Sequence, residues 1–283
     1  LMLLLSVSCL NSIKGQTVQR MGPPNWWVDH PLDTVEILLQ GEGLFKWAAE
    51  VEKSAGKVLK TTHYGDRYSL VKLWIRPGYN KEKIELNIGP KSFDFPLLER
   101  SGHEPQGLSD QDLVYLITPD RFHNGDPSND DVPGMRERGV DRSKPYARHG
   151  GDLQGIQMGL DYIEGLGATA LWINPVLEND MERDSYHGYA ITDHYRVDPR
   201  YGGNEALIEL ATDLHQREMK HIMDIVYDHW GVEHYLHHHL PDSGMVHFNP
   251  DGSIPYSNFR FSALADPHAL AQAKQAFEHG WFA

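Results

Sequence analysis

Across its 283 residues the chain carries 26 basic against 40 acidic side chains, a formal net charge of −14, with 40% hydrophobic and 23% charged residues. That apolar share supports a packed core in one large domain or two ordinary ones and excludes wholesale disorder. The acidic balance repels phosphate backbones and excludes nucleic acid as a partner, leaving a neutral substrate or a cation.

Leu1 to Leu10 is apolar and polar residues from Asn11 to Gln16 follow, the order of a signal peptide's hydrophobic and cleavage regions, too short to span a bilayer. No basic segment precedes it, so residues 1–16 read as an incomplete signal peptide. The expectation is export to the periplasm or the exterior. Lipid anchoring at Cys9 is a second reading, weakened because Leu5 lies one place too early for a lipobox. Cys9 is the only cysteine, so a mature chain has no disulfide framework.

Residues 17–103 read as a β-sandwich of immunoglobulin-like size. Val35–Leu39, Ser69–Ile75 and Lys83–Ile88 are short, partly alternating runs bounded by turn pairs such as Pro77-Gly78 and Gly89-Pro90. The aromatic pair Trp26-Trp27 suits a sugar platform, but at the entrance to a β-domain core packing is the preferred reading. A polar stretch, Ser101–Asp112, reads as the linker.

Residues 104–283 follow a different grammar. Leu113–Ile117, Ala168–Ile173 and Ile222–Val226 read as buried strands. Helical stretches with Leu160, Ile163 and Leu166 on one face, and Leu207, Leu210, Ala211 and Leu214 on another, precede the second and third. Alternation of this kind implies right-handed crossovers and a parallel sheet, with chemistry at the carboxyl ends of its strands. Thr118-Pro119-Asp120-Arg121, Asn174-Pro175 and Asp228-His229 fall there. A closed eight-stranded barrel takes about 250 residues, and only three such strands are legible, with a further helix at Asp266–Phe282. The expectation is a truncated (β/α)8 barrel, strands one to three only.

Three constellations carry chemistry. Asn124-Gly125-Asp126-Pro127-Ser128-Asn129-Asp130, with Gly150-Gly151-Asp152, offers hard oxygens on a tight loop, which suits calcium; a solvated Asn/Asp turn fits the same spacing. Ser185-Tyr186-His187-Gly188-Tyr189 interleaves aromatic faces with hydrogen-bonding groups, suited either to polyhydroxylated rings or to packing a loop. Asp224, read as lying inside the third strand, needs partners for its carboxylate there. His234 and His237-His238-His239 fan apart rather than converge on a metal.

Taken in order, these segments resemble the α-amylase superfamily, glycoside hydrolase family thirteen, and within it the neopullulanase and cyclomaltodextrinase-like members, including starch-utilisation enzymes of Bacteroidetes. Pro23-Pro24-Asn25-Trp26-Trp27 resembles the start of that subgroup's N-terminal sandwich. The resemblance implies a Ca2+ site formed by Asn124, Asp126, Asn129, Asp130, Asp152 and the carbonyl of Gly150. It also implies a substrate-binding set of Tyr189, His187, His229 and Asp224, with Tyr189 stacked on the sugar beside the scissile bond and Asp224 behind the active site. Asp228 stands where the family has asparagine.

The implied reaction is retaining hydrolysis of α-1,4, and also α-1,6, glucosidic bonds in maltodextrins, cyclodextrins or pullulan, between carboxylates about 5–5.5 Å apart. The nucleophile, acid/base and stabilising aspartate of the family belong to strands four, five and seven, so no catalytic residue is assigned within Leu1–Ala283. A glucan-binding homologue without catalysis and an α-glucan transglycosylase are the alternatives. A homodimer is the implied protein partner.

Overall fold

A computed structural model describes residues 18–28, 30–99, 107–227 and 229–239. The segment read as a signal peptide, Asp228 and the Asp266–Phe282 helix lie outside the described residues. The chain forms two compact units that divide between Asp110 and Gln111, inside the stretch read as a linker and seven residues after the boundary placed at 103/104.

In the first unit the strands are β1 (Val18–Gly22), β2 (Trp26–Trp27), β3 (Thr34–Gly41), β4 (Ala49–Val51), β5 (Gly56–Tyr64), β6 (Tyr68–Ile75), β7 (Lys83–Ile88) and β8 (Lys91–Leu98). They form two four-stranded sheets, ordered β1-β3-β6-β5 and β2-β8-β7-β4, in which only β2 and β8 pair parallel. Side chains alternate across a strand, and here the alternation sorts the faces. Val35, Ile37 and Leu39 of β3 and Val71, Leu73 and Ile75 of β6 are buried, as are Ile84, Leu86 and Ile88 of β7 and Phe95 and Leu97 of β8. Both sheets contribute these residues to one core. The Trp pair divides: Trp26 packs against that core, whereas Trp27 is 38% exposed. The expectation that both rings are core therefore fails for Trp27.

The second unit is built on β9 (Val114–Ile117), β10 (Ala170–Ile173) and β13 (Lys220–Met223), a parallel sheet ordered β13-β10-β9. A small antiparallel pair, β11 (Leu177–Glu178) and β12 (Asp193–Val197), follows β10. The helices are α1 (Pro119–Phe122), α2 (Leu153–Met158), α3 (Leu160–Gly165), α4 (Gly203–Gln216) and α5 (Tyr235–His239). Ile173 pairs with both Ile117 and Met223, so the three strands end level and their following loops leave from one edge. At the opposite end Asp112 accepts from Thr169 Oγ1 at 2.9 Å and pairs with Lys220 Nζ at 2.6 Å, tying the strand starts together.

Two expectations are corrected here. The third strand runs over Lys220–Met223 rather than Ile222–Val226, because pairing with Ala170–Ile173 sets its limits; Asp224 therefore lies just past its end and is half-buried. Leu166, expected on a buried helical face, follows the end of α3 and is exposed, whereas Leu160 and Ile163 are buried. On the sheet, Ile117, Leu171 and Ile173 join the helix-packed core, while Val114, Leu116 and Trp172 share an exposed face. Among the described residues no helix is long and apolar enough to cross a membrane.

Candidate functional site

Directly after β9, the single turn α1 swings the chain into the oxygen-rich loop. Asp120 in that turn is buried and accepts the main-chain N–H of His149 at 2.9 Å and of Gly150 at 3.2 Å, fastening the distant Gly150–Asp152 segment beside it. Asp152 is buried and caps α2. Its Oδ1 accepts from Gly125 N at 3.1 Å and Gly155 N at 2.6 Å, and its Oδ2 from Asp126 N at 2.8 Å and Asn129 Nδ2 at 3.1 Å. Four donors fill a carboxylate's lone-pair directions. Asp126 in turn accepts from Ser128 N and caps the short 3-10 turn Pro127–Asn129; the Ser128 hydroxyl, and after it that main-chain bond, holds its carboxyl below the usual range.

Two amides in this loop are left half-satisfied. Asn124 donates Nδ2 to both oxygens of Asp130, at 2.8 and 3.0 Å, as Asn129 donates to Asp152, yet Oδ1 of each amide is buried without a partner. A buried acceptor with no donor is costly unless a cation or water meets it. Gly150, at φ 85°, lies so close that a Cβ there would collide with the Asp130 carboxylate. The six residues expected at a calcium site thus share one connected polar loop. Among the described residues no group of three His, Cys, Asp or Glu side chains could hold a metal.

Beyond β10 the chain reaches Ser185–His187, a 3-10 turn, and then Gly188 at φ 82°. A Cβ on Gly188 would collide with the Pro175 carbonyl, so only glycine lets the turn lie against the strand end. The turn places His187 and Tyr189 ring to ring, centroids 6.0 Å apart and 25° from parallel. Tyr189 N donates to His187 Nδ1 at 2.9 Å, which in the neutral ring leaves the proton on Nε2. Burial lowers the His187 pKa and favours that neutral form.

Tyr189 then meets the third strand. Its hydroxyl donates to Asp224 Oδ2 at 2.9 Å, and Trp172 Nε1 donates to the same oxygen at 3.3 Å. Burial, followed by the bond to Asp224, pushes the phenol up to about 12. His229 Nε2 lies 3.1 Å from the Tyr189 carbonyl, and because a carbonyl only accepts, that nitrogen carries the proton. His187, Tyr189, Asp224 and His229 therefore come together, with His229 directed at the backbone of Tyr189.

Sequence reasoning missed the buried scaffold that joins these loops. The Arg121 guanidinium stacks 3.9 Å over the Tyr186 ring and donates to the carbonyls of Pro145 and Ala147. Tyr201 donates its hydroxyl to the Tyr186 carbonyl at 2.8 Å, and buried Arg148 lies 5.0 Å over the Tyr201 ring and 3.9 Å from Asp120. Asp198 and Arg200, both fully buried, form a fork with bonds of 2.9 and 2.7 Å, while Arg200 also reaches the carbonyls of Asn179 and Glu137. Only this last pair left a trace, the close spacing in Asp198-Pro199-Arg200; the other partners are far apart in the chain.

Residues 116–259 match the family model described as the α-amylase catalytic domain, and residues 20–101 that of the cyclomaltodextrinase N-terminal domain. The chain belongs to the α-amylase family. A cyclomaltodextrinase of Geobacillus thermopakistaniensis (strain MAS1) is 34% identical over 227 residues, 75% of this chain and 36% of that one. Neopullulanase 2 of Thermoactinomyces vulgaris is 37% identical over 124 residues (44% and 20%), and the periplasmic α-amylase of Escherichia coli (strain K12) 35% over 162 (53% and 24%). The chain spans about a third or less of the length of each of these curated relatives.

For this α-amylase family chain the Asp198–Arg200 fork yields a stability prediction. Burial opposes the Asp198 charge, but Arg200 overcomes it and holds the carboxyl below its usual range. A lowered carboxyl pKa adds stability above the unfolded value and loses it as pH falls through the folded one. Asp198→Asn leaves a buried guanidinium without its counter-ion and should cost about 3–5 kcal/mol at neutral pH, read by urea unfolding. Part of the wild type's loss of stability below about pH 4 should be absent from the variant. A loss under about 1 kcal/mol would show that the pair contributes no more than a surface bridge.

Proposed function

We propose that these residues form the substrate-gripping part of a retaining α-glucan hydrolase that cleaves α-1,4, and also α-1,6, glucosidic bonds in maltodextrins, cyclodextrins or pullulan. The observation that carries this reading is the meeting of His187, Tyr189, Asp224 and His229 at the level carboxyl ends of β10 and β13. The names of the relatives, cyclomaltodextrinase, neopullulanase and periplasmic α-amylase, point the same way. On this reading β9, β10 and β13 are the first three strands of a (β/α)8 barrel and the first unit is an immunoglobulin-like sandwich. The protein is exported, as the periplasmic relative is.

Each residue has a role that follows from its bonds. Tyr189 offers its ring face to a glucose unit; its hydroxyl, fixed on Asp224 and un-ionised up to about pH 12, cannot swing away. His187 donates from Nε2 to a sugar hydroxyl. His229 holds the Tyr189 backbone and so fixes the height of the platform. Positioning of this kind accelerates bond cleavage by holding the reacting carbon where the carboxylates act.

The oxygen-rich loop suits Ca2+, a hard cation that takes six to eight oxygen ligands. The orphaned Oδ1 atoms of Asn124 and Asn129, the Asp130 carboxylate and the Gly150 carbonyl would hold it, with Asp126 beside them. Asp152 would have to yield one of its four N–H donors to join, and it serves first as the loop's organiser. The ion would supply charge neutralisation that keeps the loop, and through Asp120 and Arg121 the Tyr186 turn, in place.

Two measurements on the full-length protein test this reading. Tyr189→Ala should lower kcat/KM on maltoheptaose by about 100-fold; a change under threefold, or no reducing sugar released by the wild type from any of the named glucans, overturns it. Chelation should lower the melting temperature and added Ca2+ restore it, since an ion bound only by the native state stabilises that state. An unchanged melting temperature removes the ion from the loop.

A further inference from the structure

Arg136 gathers three loops of the second unit, and the roles proposed for Tyr189 and His229 make no use of it. It lies on the excursion that leaves β9 through the oxygen-rich loop and returns at His149. Its main-chain N–H donates to Asp180 Oδ1 at 2.7 Å, and its Nε lies 3.7 Å from the other oxygen of that carboxylate. Its Nη2 lies 2.8 Å from Glu233 Oε2. Asp180 belongs to the chain after β10, nine residues before Tyr189, and Glu233 to the loop after β13, four residues beyond His229. One guanidinium thus ties together the segments that follow all three parallel strands.

The two partner loops already touch beside this point. Gly231 N donates to the Ile191 carbonyl at 2.8 Å, and a Cβ on Gly231 would collide with the Ala190 carbonyl. The loop after β13 therefore lies flat on the loop that bears Tyr189. His229, 3.1 Å from the Tyr189 carbonyl, secures one part of this contact, and Arg136 secures another through Glu233. Glu137, the next residue, accepts from Ser185 N at 2.8 Å and fastens the turn that leads to Tyr189.

Charge decides what Arg136 does here. The Asp180 and Glu233 side chains converge on its guanidinium and are only 24% and 19% exposed. Without the cation two carboxylates would face each other partly desolvated, where like charges repel more strongly than in bulk water. A half-exposed ion pair adds little to global stability, and the main-chain bond to Asp180 survives removal of the side chain. Loss of Arg136 therefore acts on the spacing of the two loops more than on folding.

We propose that Arg136 is a positioning residue for glucan binding: its guanidinium neutralises Asp180 and Glu233 and so holds His229 against the Tyr189 platform. The proposal rests on the α-glucan reading of the Tyr189 site. Arg136 acts on the sugar only through the distance between the two loops. Neutralising Glu233 should then repair part of the damage done by removing Arg136, which a mere loss of packing would not allow.

The test uses the full-length protein, with KM and kcat on maltoheptaose and the melting temperature measured for each variant. Arg136→Ala should raise KM about tenfold with kcat within about threefold, and the melting temperature should stay within about 4 °C of the wild type. Arg136→Lys, which keeps the charge without the planar fork, should raise KM about threefold. Adding Glu233→Gln to Arg136→Ala should bring KM back to within about threefold of the wild type. Raising ionic strength from about 0.01 to about 1 M shortens the screening length from about 30 to about 3 Å, and should lower KM of Arg136→Ala about threefold while the wild type gains nothing. An unchanged KM in Arg136→Ala overturns the proposal and leaves the Tyr189 reading standing, as does a double variant no better than Arg136→Ala. If Arg136→Ala does not fold, Glu233→Gln alone decides: a rise in KM of about threefold supports the proposal, and an unchanged KM overturns it. A wild type that releases no sugar from maltoheptaose overturns the α-glucan reading and the proposal with it.

Discussion

Asp224 accepts the Tyr189 hydroxyl and the Trp172 indole N–H on a single oxygen, and this shared acceptor joins structure from two neighbouring parallel strands. The bond is possible only because β10 and β13 end level, which in turn depends on the strand starts gathered by Asp112. A one-residue slip of β13 would exchange the faces of its own side chains and shift Asp224 along the sheet. The platform is therefore a consequence of sheet register, and Gly188 lets the turn that bears it lie close enough to be caught.

Behind the platform a layer of buried charge does the bracing. Asp120 and Asp152 satisfy main-chain N–H groups of a segment some thirty residues away or nearer, and Arg148, Tyr201, Asp198 and Arg200 continue the network toward the Tyr186 turn. Buried charges are tolerated when each is paired and hydrogen-bonded, and they then define one arrangement among many that apolar packing alone would permit. The oxygen-rich loop and the Tyr186–Tyr189 loop share these braces, so disturbing one should be felt in the other.

How much of this was legible depended on distance along the chain. Strand β7 alternates apolar and polar residues, and β3 and β6 are apolar runs that alternate in part, enough to be read directly, whereas β5, with Lys57, Lys60 and Thr61 on an edge, has no such pattern. The apolar run through Ile222–Val226 pointed to a strand two residues too late, because its limits are set by pairing with β10 and by the Lys220–Asp112 contact, 108 residues apart. Within the site, Tyr186–Tyr189 and Asn124–Asp130 were visible as local clusters of suitable chemistry. The Asp120–Arg148 proximity and the Arg121–Tyr186 stacking were not, since no local spacing encodes them. The exposure of Trp27 was missed for another reason: at the short β2, an aromatic pair places its two rings in different surroundings, and composition does not say which ring faces out.

On the proposed reading, Tyr189 and Asp224 act as one unit in gripping a glucan. A double-mutant cycle on the full-length protein tests it, with Kd for maltoheptaose measured for the wild type, Tyr189→Phe, Asp224→Ala and the pair. A coupling of about 1 kcal/mol or more is expected, because either change alone already frees the ring. Strictly additive effects, with the two side chains contributing independently, would contradict it.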